Sequence, residues 1–268
     1  MTVWQVSPRP PPVLFGLAFL SLSLFWPGFL TIIVGQYGLA VLGLGALAWT
    51  LLRAGRDLPA GAVLALATVK PSVSFLPIVV VLGWAAARRR LGIIWGFGAC
   101  LASLVLLTSL PAGWWLVDFI DGLLGYQANV GPSFVTWKPA DALGLPAVLG
   151  VLGAGWLLVR AVPDILRSGD FPWAGVIGGL VFNLLLTPHV GIFDLVALLV
   201  PLGWLLGRWA GSAPGFVLWL GLLWLPVVLA LGLRADGWWV WATYPPAVTG
   251  AVLVEVYRKS WPLGKKAL

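Results

Sequence analysis

The sequence predicts an all-α fold: a polytopic integral membrane helix bundle with about eight crossings and one proline-broken helical hairpin. Three observations predict it. The 268-residue chain is 60% hydrophobic and only 9% charged, whereas a soluble domain carries about a quarter charged residues, so water is not its main solvent. Its apolar stretches recur near the ~20-residue length with which an α-helix crosses a bilayer. All of the sixteen Lys and Arg residues except Lys70, Lys138 and Arg234 fall at every second gap between those stretches. Basic gaps resist translocation, so Arg9, Arg53/Arg56, Arg88–Arg90, Arg160/Arg167, Arg208 and Arg258/Lys259/Lys265/Lys266 are expected on the cytoplasmic side, with both termini. Lys70, Lys138 and Arg234 then lie on or toward the other side.

In chain order, residues 1–12 are a cytoplasmic N-terminal segment, 13–257 a single transmembrane domain and 258–268 a basic cytoplasmic tail. The first span is Val13–Ile33. It reads as a retained helix, because Phe25-Trp26-Pro27-Gly28 offers no small-residue cleavage site. Gln36–Leu52 returns inward. Between Arg56 and Arg88 both ends are basic, so that stretch must enter and return. Two short helices, Leu58–Val69 and Ser72–Ala87, meet at Lys70-Pro71, where proline disfavours helix at the residue before it and removes an amide donor. Breaks of this kind are tolerated at membrane depth only under cover of protein or a wet cavity. The remaining spans are Leu91–Leu110, Asp141–Val162, Phe171–Thr187, Asp194–Trp209, Gly215–Leu233 and Trp241–Tyr257, with a long outer loop at 111–140. Trp114, Trp115, Trp137, Trp238, Trp239 and Trp241 fit an outer aromatic belt, and Trp84, Trp173, Trp209 and Trp261 an inner one. The 34 glycines suit close helix packing.

The net charge of +7 would suggest nucleic acid in a soluble protein. Here topology accounts for it, and no nucleic-acid partner is expected. Cys100 has no second cysteine to pair with. A single histidine without a cysteine cluster cannot build the usual zinc site, so no metal and no cofactor are expected. No P-loop, G-x-S-x-G, H-E-x-x-H or Rossmann fingerprint occurs.

Five places could carry chemistry. Lys70 would place an ammonium near the membrane interior, at a cost of at least about 2.5 kcal/mol. Beside a helix break it suits a phosphate, although a lysine snorkelling to the outer interface has the same signature. His189 follows Pro188 at the outer end of a span; acid/base work, a hydrogen bond to phosphate and simple capping are all open to it. Asp194 lines the same region or N-caps its own helix. Gly35-Gln36-Tyr37-Gly38 is either a plain turn or a turn presenting Gln36 and Tyr37 to a substrate. Asp118 and Asp121 are the carboxylates of the outer loop.

Three segments together carry a resemblance. Gly35-Gln36-Tyr37-Gly38 opens a span ending in Arg53-Ala54-Gly55-Arg56-Asp57. Leu58–Ala67 then runs into Lys70-Pro71 and on to Arg88–Arg90. Later comes Leu186-Thr187-Pro188-His189-Val190-Gly191-Ile192-Phe193-Asp194-Leu195. Over residues 20–205 this order resembles glycosyltransferase family 87 of the GT-C superfamily. The resemblance implies a GT-C-like membrane fold in a prokaryotic plasma membrane, with the active face extracytoplasmic. It implies a hexosyl- or mannosyltransferase using a polyprenyl-phosphate sugar donor and a glycolipid or glycan acceptor. Lys70 and His189 would bind the donor phosphate; Gln36, Tyr37 and Asp194 would line the site. Gly38 stands where the family usually has Asn. The superfamily's catalytic base, an acidic residue in its first outer loop, has no counterpart before Asp57, which lies on the wrong side. An amino-terminally truncated or inactive copy is therefore expected, with Asp118 or Asp121 as substitutes. The rival expectations are a polyprenyl-phosphate carrier or flippase, and a structural membrane subunit.

Overall fold

Proline and glycine positions cut the apolar chain into helices shorter than most of the spans expected for it. The computed structural model describes residues 20–21, 24–122, 145–166, 171–186, 192–209, 211–232 and 243–260. Among these every regular element is helical: α1 (Trp26–Ile33), α2 (Gly38–Arg53), α3 (Asp57–Leu66), α4 (Pro71–Ala87), α5 (Leu91–Ala112), α6 (Leu145–Leu166), α7 (Trp173–Leu186), α8 (Leu199–Trp209), α9 (Ala213–Leu223), α10 (Leu225–Gly232) and α11 (Tyr244–Ser260). Two 3₁₀ stretches, Ala67–Val69 and Ile192–Leu198, precede Lys70 and α8. The fold is all-α.

Three helices end on the same turn. After α1, Gly35 takes φ 68°; its N–H reaches the Ile32 carbonyl at 3.1 Å, and the Gln36 N–H reaches Thr31 at 2.9 Å. This pair of bonds satisfies the last carbonyls of the helix and needs a left-handed residue. Gly55, φ 71°, serves α2 in the same way. After α4 the left-handed position is held by Arg89, φ 53°, with no glycine, at a steric cost of about 1–2 kcal/mol.

Packing relies on missing side chains. α3 lies against α5 so closely that a Cβ on Gly61 would stand 2.0 Å from the Ile93 carbonyl oxygen, and one on Gly96 2.0 Å from that of Leu58. α7 is wedged between α4 and α6. A Cβ on Gly178 would meet Leu157 at 2.7 Å, and one on Gly179 would meet Leu76 at 3.1 Å. α11 covers the other side of α6, where Pro246 sits over Gly150. α1 packs on the 192–198 stretch. At one end Arg90 forks onto the Asp57 carboxylate, with Nε to Oδ2 at 3.0 Å and a second bond to Oδ1, and also reaches the Leu52 carbonyl at 3.2 Å. This joins the ends of α2, α3 and α4. Arg208 lies 3.6 Å from Glu255, which also accepts from the Trp209 indole at 3.0 Å, tying α8 to α11.

Several expected spans are corrected. Val13–Ile33 is not continuous: Phe25 is extended at ψ 108°, because Pro27 has no N–H for the Ser23 carbonyl and its ring would clash there. Gly215–Leu233 is divided at Trp224 into α9 and α10, by the same effect of Pro226 on Leu222. Asp194–Trp209 starts as 3₁₀ and becomes α-helical only at Leu199. The chain breaks at Lys70, φ −131° and ψ 80°, yet the two arms part company, α3 packing mainly on α5 and α4 on α7. Among the described residues one helix is long and apolar enough to cross a membrane: Leu91–Pro111, with mean hydropathy 2.1 and 11% of its most apolar window buried. α1 and α2 meet at 112° and reach that length only together.

Candidate functional site

The Lys70 break is held open from three sides. Lys70 has left helical geometry, but its carbonyl starts α4 by accepting the Val73 and Ser74 N–H groups at 3.1 and 3.2 Å. The buried Ser74 hydroxyl donates to the same carbonyl at 3.1 Å. Asn183, from the last turn of α7, donates its amide to the Pro71 carbonyl at 2.9 Å. The break is thus built into the bundle rather than left as a loose joint.

This geometry aims the lysine at residues remote in sequence. Lys70 Nζ stands 2.6 Å from Asp194 Oδ1 and donates to Gln36 Oε1 at 2.9 Å. The Asp194 side chain is 0% exposed and that of Lys70 11%. Gln36 is placed by the glycine turn that ends α1, and Asp194 by the 3₁₀ stretch packed on α1. A buried ion pair is stable only when extra hydrogen bonds satisfy its remaining groups; Gln36 supplies one of them. The N-terminus of α4 adds positive potential at the same spot. Asp194 lies behind the ammonium, fully enclosed, while Lys70 and Gln36 keep partial exposure.

Of the expected site residues, the structure brings together Lys70, Gln36 and Asp194. Asp194 is the counter-ion of Lys70, a role not assigned to it from sequence. Tyr37 stands next to Gln36 but is 61% exposed. Asp118 and Asp121 are exposed on the helical turn 116–122 and do not join the cluster. His189 lies outside the described residues. Among the described residues no group of three or more His, Cys, Asp or Glu side chains could hold a metal ion. Sequence reasoning passed over Ser74 and Asn183. The signal for Asn183 was available, since a carboxamide inside the apolar run of α7 is expected to bond across to a neighbouring helix.

Next to the break lies a half-open apolar pocket of about 380 Å³ lined by residues of α2, α3, α4, α7 and α8. Ala67, Val73 and Ser74 line it near the break, and Trp49, Phe171 and Trp173 line its far end. Comparison with family models, with curated proteins and with solved structures gives no match.

Proposed function

We propose that this chain is a polytopic membrane glycosyltransferase of the GT-C kind. It would move a hexose, mannose by the resemblance to family 87, from a polyprenyl-phosphate donor to an extracytoplasmic glycolipid or glycan. The observation that carries this reading is the meeting of Lys70, Gln36 and Asp194. They come from the three separated segments on which the resemblance rests, and they converge at a helix break where an ammonium would otherwise be costly. In this reading the helices make about eight crossings with the arginine-rich ends cytoplasmic. The fork joining Arg90, Asp57 and Leu52 favours that sidedness, because it gathers the ends of α2, α3 and α4 at one level.

In the proposed reaction Lys70 binds the donor phosphate, held in place by Asp194 behind it. As the acceptor oxygen bonds to the anomeric carbon, the bond from that carbon to the phosphate oxygen breaks. The leaving lipid phosphate keeps the electron pair, and Lys70 with the α4 N-terminus stabilises its charge. Asp194 is enclosed and already paired, so it positions Lys70 and does not reach the acceptor. His189, five residues earlier in the chain, is the group proposed for the acceptor's proton.

A second reading, a structural membrane subunit, is favoured by one fact: Lys70 already has a counter-ion. The test is transfer of labelled mannose from polyprenyl-phosphate mannose to extracted membrane glycolipids by the purified chain. Lys70→Gln should lower the rate by at least ~10²-fold, as loss of a charge-stabilising donor does. No transfer by the parent rejects the transferase reading, and equal transfer by Lys70→Gln and the parent rejects Lys70 as the group that binds the donor phosphate.

A further inference from the structure

At one end of the bundle two turns touch. α2 and α4 end there, α3 and α5 begin there, and Arg90 binds the turns together through Asp57 and the Leu52 carbonyl. They carry Arg53, Arg56, Arg88, Arg89 and Arg90 against one carboxylate, Asp57, the only acid between Gly38 and Ala112. Four positive charges are left over. Arg90 is engaged by Asp57 and lies 5.1 Å over the buried Trp84 ring. Arg53, Arg56 and Arg89 are exposed, and among the described residues their guanidinium groups meet no carboxylate.

The fold does not call for this excess. An arginine at a helix C-terminus offsets the negative end of the dipole, but here two C-termini meet two N-termini and the dipole charges largely cancel. The turn after α4 repeats the bonds of the turns after α1 and α2: the Arg89 N–H reaches the Ala86 carbonyl at 3.0 Å, and the Arg90 N–H that of Ala85 at 2.9 Å. In the other two turns the left-handed residue is glycine, Gly35 and Gly55; here it is Arg89 at φ 53°. It bears the steric cost of a side chain in that region while standing exposed. A strained residue that adds no buried contact points to a use outside the fold.

The neighbouring surface identifies the partner. α5 starts at Leu91, directly after the arginines, and its most apolar stretch is left almost entirely uncovered. Trp95, one turn in, is 69% exposed, and exposed indoles of membrane helices sit at headgroup level. Acyl chains covering this face of α5 bring their headgroups to the two turns. A guanidinium holds a phosphate through paired N–H donors, whereas a zwitterionic headgroup brings its own cation, which these arginines repel. We propose that the Arg53–Arg56–Arg89 surface binds the phosphodiester of an anionic phospholipid whose chains lie along the Leu91–Trp95 face of α5. This site rests on the bilayer placement in the function proposed above, not on its chemistry, since the 17 residues of α4 put it ~25 Å from Lys70.

The test uses the full chain in detergent micelles with dioleoyl phosphatidylglycerol or dioleoyl phosphatidylcholine, which differ only in headgroup. Native mass spectrometry measures the fraction of chains retaining each lipid. The parent should retain phosphatidylglycerol at least ~tenfold more, each arginine contributing about fivefold. Arg89→Gly should lower that retention about fivefold while raising the unfolding midpoint, so lost binding cannot come from lost folding. Adding Arg53→Gln should bring the loss to roughly 25-fold. Removing the same charge elsewhere, with Arg160→Gln and Arg258→Gln, should leave retention near the parental level. Equal retention of the two lipids by the parent, undiminished retention in Arg89→Gly, or an equal loss in the Arg160 and Arg258 control overturns the proposal. Release of the lipid by inorganic phosphate, but not by chloride of the same ionic strength, assigns the site to free phosphate and overturns the lipid. Selective retention without sugar transfer keeps this site and rejects the transferase; transfer without selectivity rejects this site alone.

Discussion

Removing Lys70 and Asp194 singly and together separates what the pair does for the fold from what it does for a ligand. Lys70→Met takes the ammonium away from a carboxylate whose side chain is 0% exposed, so water cannot replace it. Asp194→Leu strands an ammonium that keeps Gln36 at 2.9 Å and an 11% outlet to the surface. Breaking a buried pair from one side costs about 3–5 kcal/mol, while replacing both partners by apolar groups is near neutral. Lys70→Met should fall at the upper end of that range and Asp194→Leu at the lower. For a chain of this size the losses correspond to roughly 6–20 °C in the unfolding midpoint. The double variant should unfold within a few degrees of the parent. Scanning fluorimetry on the intrinsic tryptophans in detergent measures all four proteins. A double variant destabilised by the sum of the two singles would refute direct pairing. If the double variant folds and still transfers mannose at the parental rate, Lys70 does not bind the donor phosphate.

Other outcomes follow from the backbone. Gly96→Ala should destabilise by about 1–3 kcal/mol, since its Cβ meets the Leu58 carbonyl at 2.0 Å. Gly98→Ala, with nothing within 4 Å, should be neutral or raise the midpoint slightly; a lower midpoint for both would remove α3–α5 contact as the cause. Arg89→Gly should stabilise by about 1 kcal/mol by relieving its left-handed φ of 53°, read as a higher midpoint, and a lower one would mean that the arginine side chain outweighs its backbone. Arg90→Lys loses the two-pronged hold on Asp57 and should lower the midpoint nearly as far as Arg90→Ala does.

What could be read in the sequence was what local rules control. The Lys70-Pro71 break was legible because proline constrains the residue before it, and the glycine turns at Gly35 and Gly55 because only glycine takes positive φ freely. The same proline rule, applied to Pro27 and Pro226, would have divided the first and seventh expected spans. It was outweighed by the unbroken hydrophobicity on either side. Arg89 in a glycine conformation carries no local mark. The link from Lys70 to Asp194 could not be read at all, because it joins segments whose proximity depends on how α1, α4 and the 192–198 stretch pack. Asp194 showed only that a carboxylate stood at a helix start, and the bundle made it a counter-ion.

The distance in sequence between those two charges bears on how the protein is made. More than a hundred residues separate position 70 from position 194, so a ribosome adding 5–20 residues per second leaves the ammonium without its carboxylate for ~10 s. During that interval the nascent amino-terminal half must keep residue 70 in contact with water, with headgroups or with an insertion factor. The early helices therefore cannot settle into their final positions before the third quarter of the chain has emerged.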